Sequence, residues 1–83
     1  MVKVTRLERL GGYSLRLTFS DGIVGDIDLV SELWGEMFEP LRNPIQFNRV
    51  RVDRALGTLV WANGADFDPE GLHEAVRRVQ RAR

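Results

Sequence analysis

Tyr13-Ser14-Leu15-Arg16-Leu17-Thr18-Phe19-Ser20-Asp21-Gly22-Ile23-Val24-Gly25-Asp26-Ile27-Asp28-Leu29 alternates apolar and polar residues on both sides of a turn signal. Alternation at period two marks a strand with one buried face, and Asp-Gly is a hairpin dipeptide. Loop length decides the register. A three-residue loop, Ser20-Asp21-Gly22, with Gly22 left-handed at a G1 bulge, sets Phe19 against Ile23, Leu17 against Gly25, Leu15 against Ile27 and Tyr13 against Leu29. The apolar residues then gather on one face, and Ser14, Arg16, Thr18, Asp26 and Asp28 occupy the other. A two-residue loop would put Leu17 opposite Asp26 and Leu15 opposite Asp28. One slip inverts a whole face, so the longer loop is expected.

Upstream, Val2 to Leu10 reads as a further strand, joined through Gly11-Gly12. A three-residue loop at Gly11-Gly12-Tyr13 places Leu7 beside Leu17 and Glu8 beside Arg16. Glu8, Arg16 and Asp26 then form a charged row across three strands. Val2 and Val4 break parity with Leu7, which predicts a bulge near Thr5-Arg6.

Downstream, Asp28 or Ser31 can cap a short helix through Leu33-Trp34, with Gly35 ending it. Trp34, Met37, Phe38 and Leu41 recur at helical spacing and are expected in the core, although Gly35 and Pro40 forbid one long helix. Pro44 opens a single turn, Pro44 to Phe47. Arg49 to Asp53 and Thr58 to Ala62 read as a second hairpin. Its four-residue loop, Arg54 to Gly57, pairs Val52 with Leu59 and Val50 with Trp61, and leaves Arg49 and Arg51 facing out. Asp68 as N-cap and Pro69 at the first helical position begin the clearest helix, whose apolar stripe is Leu72, Ala75, Val76 and Val79. Arg77, Arg78, Arg81 and Arg83 complement its negative C-terminal end.

These elements predict an α+β domain spanning residues 1–83. It comprises an antiparallel three-stranded meander, a second β-hairpin, short central helical turns and a C-terminal helix packed on the sheet. Leu15, Leu17, Phe19, Ile27, Val52, Leu59, Trp61, Leu72, Val76 and Val79 are the expected core.

Composition narrows the function. Eighty-three residues make one domain, and 43% apolar residues suit a folded chain. Lys plus Arg and Asp plus Glu are each 12, so the basic excess of a free-standing nucleic-acid binder is missing. Residues 1–68 carry eight basic and ten acidic side chains, so any basic surface is local to the C-terminal helix. Cysteine is absent, which removes thiolate metal sites and thiol nucleophiles. No run approaches the ~20 apolar residues of a membrane span, and no apolar signal core follows Met1, so a cytoplasmic location is expected. No cofactor fingerprint is present.

Few residues suggest chemistry. His73 is the single histidine, and Ser14, Ser20 and Ser31 are the only serines; His73 falls on the polar face of the last helix and is expected to be solvated. Asp26 and Asp28 share a strand face ~7 Å apart, the spacing of a hard-cation or hydrolytic pair. Pairing with Arg16 and helix capping account for both. Asn63-Gly64-Ala65-Asp66-Phe67-Asp68 is a dense turn former in which Asp66 alone lacks a structural role. Arg49, Arg51, Arg77, Arg78 and Arg81 are the candidate partner-binding residues, a strand-plus-charge surface for an acidic segment or a second copy of the chain.

Leu17-Thr18-Phe19-Ser20-Asp21-Gly22, then Phe38-Glu39-Pro40-Leu41-Arg42-Asn43-Pro44, then Trp61-Ala62-Asn63-Gly64-Ala65-Asp66-Phe67-Asp68-Pro69-Glu70 follow in order along the chain. Together they resemble the small prokaryotic family catalogued as domain of unknown function 2442. Asp21, Gly22, Trp61, Asn63, Gly64, Asp66 and Pro69 carry the signature, and the likeness runs over about residues 2 to 73. The resemblance implies a small α+β fold, similar to the N-terminal domain of a nitrosomonad protein, and no known enzymatic activity. It also implies two settings: a DNA-binding helix-turn-helix following the domain in longer relatives, and a toxin–antitoxin-like pairing with a neighbouring small protein in others. This chain is expected to lack the DNA-binding extension.

The expected function is a non-catalytic protein-interaction module, the antitoxin-like partner of a small toxin, with no cofactor and no membrane contact. A homodimer is one form such an interaction can take. The alternative is a nucleic-acid-contacting accessory protein using the Arg-rich helix. A metal-dependent hydrolase built on Asp26, Asp28, Asp66 and Asp68 ranks last.

Overall fold

Gly22 takes φ +89° in the computed structural model, which describes residues 1–82, and the loop around it closes as the alternation requires. The Phe19 amide donates to Ile23 O at 2.9 Å and the Gly22 amide to Phe19 O at 3.0 Å. Strands β1 (Val4–Gly11), β2 (Ser14–Phe19) and β3 (Val24–Asp28) form an antiparallel sheet in the order β1-β2-β3. Leu17 pairs with Gly25, Arg16 with Asp26 and Leu15 with Ile27. Val24, paired with Thr18, is an apolar residue stranded on the polar face and is exposed there.

The β1–β2 register also follows the expected pairing, with Leu7 opposite Leu17 and Glu8 opposite Arg16. Thr5 is the extra residue between the pairs Val4–Phe19 and Arg6–Thr18, and this bulge turns Val4 into the core. The loop itself differs from expectation. Gly11 pairs with Ser14, so the strands close on Gly12-Tyr13 alone, and an irregularity around Leu10 restores the parity. Gly11 and Gly12 both have positive φ, +105° and +56°, which lets the chain reverse this tightly.

The middle segment departs further. A 3-10 helix covers Val30–Glu32 only, and the Asp28 carboxylate accepts the Val30 amide at 2.9 Å. A second 3-10 helix spans Glu39–Arg42 and a single α-turn, α1, spans Pro44–Phe47, capped by Asn43. Gly35, at φ +85°, breaks the helical repeat between them. Leu33 and Leu41 remain buried and Phe38 half-buried, but Trp34 is 69% and Met37 44% exposed, contrary to their expected place in the core.

Strands β4 (Arg51–Asp53) and β5 (Thr58–Val60) form the second hairpin, with Val52 opposite Leu59 and Gly57 at φ +67° closing the four-residue loop. The ladder stops before the expected Val50–Trp61 pair. Trp61 instead donates its amide to Ala65 O at 2.9 Å, while Val60 bridges Asp66. β5 is therefore flanked on both sides, which explains why Thr58, Leu59 and Val60 are all buried.

Helix α2 (Pro69–Arg81) lies against β3. It approaches most closely at Gly25, where a β-carbon would stand 2.3 Å from Val76 Cγ1. Leu72 and Val76 join Leu15, Leu17, Phe19, Ile27, Leu59 and Trp61 in one core. Two expected members do not. Val52 is only half-buried at its margin, and Val79 is 42% exposed, because β3 is the last strand of its sheet and no described strand continues the sheet beneath the helix beyond it. Arg83, expected to complement the helix end, lies outside the described residues.

Candidate docking groove

Most of the signature residues have structural work in this fold. Asp21 accepts the Ile23 amide at 3.1 Å and pairs with His73 Nε2 at 2.8 Å. The amide contact first, then the His73 hydrogen bond and charge, hold its carboxyl below the usual carboxylate range. Trp61 is buried and donates Nε1–H to Phe47 O at 3.0 Å. Asn63 accepts the Ala65 amide at 3.0 Å and donates to Met37 O at 2.9 Å, so it ties the Gly35–Phe38 loop to the turn at Gly64, φ +92°. Pro69 occupies the first turn of α2, and the neighbouring Asp68 accepts the Gly71 amide at 3.1 Å. Asp66 is the exception: its backbone bridges Val60, and among the described residues its carboxylate has no hydrogen bond or ion pair.

The expected chemistry groups resolve into structural ones. Arg16 Nε meets Asp26 Oδ1 at 2.8 Å and Nη2 meets Oδ2 at 3.2 Å. That hydrogen-bonded pairing, with the nearby Glu8 charge, raises the Arg16 pKa. Asp26, Asp28, Asp66 and Asp68 do not converge: the described residues hold no group of three or more side chains able to bind a metal ion. His73 corrects its expected solvated place. It is half-buried, edge-on to Phe19 at 4.9 Å, because one residue after Leu72 it sits at the border of the apolar stripe, where the β2–β3 turn reaches it.

The five candidate arginines form no single surface. Arg51 is exposed on β4, in the hairpin that packs against β1, while Arg49, expected on the same strand, is exposed in the turn between α1 and β4, where its amide donates to Gln46 O at 3.2 Å; α2 packs against β3 at the other edge of the sheet. On α2, Arg77 is half-buried, Arg78 is exposed and Arg81 pairs with Glu74 at 2.8 Å. Arg9 joins the β4 side, donating to Asn48 O at 2.5 Å.

A concavity lies elsewhere. A groove of about 520 Å³ runs between α2 and the end of β3, floored by Leu29, Leu72, Ala75 and Val79. It shares Glu32, Phe67 and Asp68 with a second hollow of about 470 Å³, where Trp34, Met37 and Phe38 form the wall. The two hollows adjoin at these three residues, and together they are called the trough. Helical spacing hid this site, since Trp34, Met37, Phe38 and Leu41 also read as a core stripe; Gly35 was the signal that the stripe breaks. No described helix is long and apolar enough to cross a membrane.

The structure is similar to the crystal structure of a proposed DNA-binding protein from Nitrosomonas europaea ATCC 19718, with a TM-score of 0.83 and 26% identity. The match covers 98% of this chain and 52% of that one, so the chain spans about half the length of that protein. No curated protein matches the sequence. A family model for a protein of unknown function, DUF2442, matches residues 4–78, and the chain belongs to that family.

Proposed function

We propose that this domain is a non-catalytic protein-interaction module, the antitoxin-like partner of a small protein encoded by a neighbouring gene. One observation carries the reading: Trp34, 69% exposed, stands with Met37 on the wall of an apolar trough. Tryptophan is the residue type most enriched among binding hot spots, and exposed apolar patches of this kind mark interaction sites. Co-expression with the neighbouring gene product, followed by size-exclusion chromatography, tests the proposal. A stoichiometric complex is expected for the wild type and its loss for Trp34→Ala, with unchanged circular dichroism. Separate elution of the two proteins, or a complex indifferent to Trp34→Ala, overturns it.

A second reading, contact with nucleic acid, is favoured by the similarity to a proposed DNA-binding protein. Arg49 in the turn before β4 and Arg51 on it, or Arg77 and Arg78 on α2, would supply the phosphate contacts, and among the described residues none of the four is in an ion pair. A net charge of zero and the separation of the two arginine groups count against a strong footprint.

A further inference from the structure

The charge along the trough is one-sided. Asp28, Glu32 and Asp68 line its α2 half, and Glu32, Glu36, Asp66 and Asp68 line the Trp34 half. Against these five carboxylates stands one lining cation, Arg78, at the α2 end beside Val79. Asp28 and Asp68 are occupied by the amides of Val30 and Gly71. The side chains of Glu32, Glu36 and Asp66 have no hydrogen bond or ion pair among the described residues. The chain thus gathers free negative charge around its most exposed aromatic residue.

We infer that the trough binds a cationic amphipathic segment of a partner protein, one that lays an apolar face on the floor and directs lysine or arginine toward Glu32, Glu36 and Asp66. This rests on the reading of the domain as an interaction module and specifies its partner. Both halves of the surface are needed. An apolar strip alone would accept any hydrophobic segment, and exposed carboxylates alone would gain little from single surface ion pairs. Joined, they select by sign: an acidic segment would meet like charges at Glu32, Glu36 and Asp66, and such juxtaposition is strongly unfavourable at an interface. Arg78 sets a polarity. The segment's basic residues belong at the Trp34 end and its apolar or acidic end near Val79.

Two synthetic helices test this, one with leucine on one face and lysine on the other, the second with glutamate replacing lysine. Binding is followed by isothermal titration calorimetry for every variant and, in chains that keep Trp34, also by tryptophan emission, since Trp61 is buried and Trp34 reports the surface. The lysine helix should bind with a blue shift, and the glutamate helix at least about tenfold more weakly. Glu32→Lys with Glu36→Lys should narrow or invert that preference, and Trp34→Phe should retain more affinity than Trp34→Ala. Equal affinity for the two helices, or a preference untouched by the double reversal, overturns the inference. In that event the interaction-module reading stands or falls separately, on co-elution with the neighbouring gene product. Sedimentation of the protein alone should show a monomer; a dimer abolished by Trp34→Ala would make a second copy the occupant and overturn the cationic partner.

Discussion

Gly25 shows how one residue sets the distance between helix and sheet. Its φ is not in the positive range, so alanine there meets no backbone strain, only Val76 Cγ1 at 2.3 Å and Gln80 Nε2 at 2.9 Å. Gly25→Ala should therefore destabilise by ~1–3 kcal/mol through overpacking, measured by urea denaturation. Val76→Ala in the same chain should recover part of that loss; simple additivity of the two would refute a contact at this point. At Asp21 the argument is electrostatic. Its folded pKa lies below the unfolded value, so its contribution is present above the ordinary carboxylate range and lost as pH falls through the folded pKa. Asn retains the oxygen that accepts the Ile23 amide and removes the charge facing His73. The melting temperature of Asp21→Asn should fall below wild type at pH 7, and the gap should close as pH falls through the carboxylate range and then through the lowered folded pKa. A gap of constant size across that range would show that the charge does not contribute.

At the scale of elements, the meander was legible because period two leaves no freedom: once Leu15, Leu17 and Phe19 must share a face, Ile27 and Gly25 follow. The Thr5 bulge was legible for the same reason, from the parity of Val4 against Leu7. The turn at Gly12 was not, because two glycines permit several closures and a compensating bulge hides the difference downstream. The Trp34–Leu41 segment misled more seriously. Spacing cannot distinguish a buried stripe from residues that a break at Gly35 turns outward, and that break created the groove wall. Helix α2 sits between these cases: its start was clear from Asp68 and Pro69, while the fate of Val79 depended on where the sheet ends. The cap yields a direct expectation. Asp68→Ala leaves the Gly71 amide unsatisfied at the helix start and should cost ~1 kcal/mol of stability. Because Asp68 also borders the trough, the same variant should bind the lysine helix no better than wild type; a stability loss near zero would mean that water replaces the cap.

Taken as a whole molecule, the chain separates its charge by element, which a net charge of zero conceals. Carboxylates collect along the trough, while exposed arginines stand on the hairpin beside β1 and on α2 beside β3. Composition could exclude a basic protein but could not reveal this division, since it depends on which elements the fold brings together. The division decides between the two functional readings. Arg9, Arg49 and Arg51 lie on one side of the sheet and Arg77 and Arg78 on elements at the other, so one duplex should meet about three of them at once. Three phosphate contacts correspond to a salt slope near about −3 in log K against log salt. Fluorescence anisotropy with a labelled DNA duplex should therefore show weak binding, with Kd at or above ~10⁻⁴ M at physiological salt and a slope no steeper than that value. Arg49→Glu with Arg51→Glu should flatten the slope by about two and leave both the melting temperature and the complex with the neighbouring gene product unchanged. The last outcome separates the readings, because those arginines lie outside the trough. Loss of the protein complex in this double variant would move the partner onto the β4 surface, and submicromolar DNA binding with a slope steeper than about −5 would make nucleic acid the principal ligand.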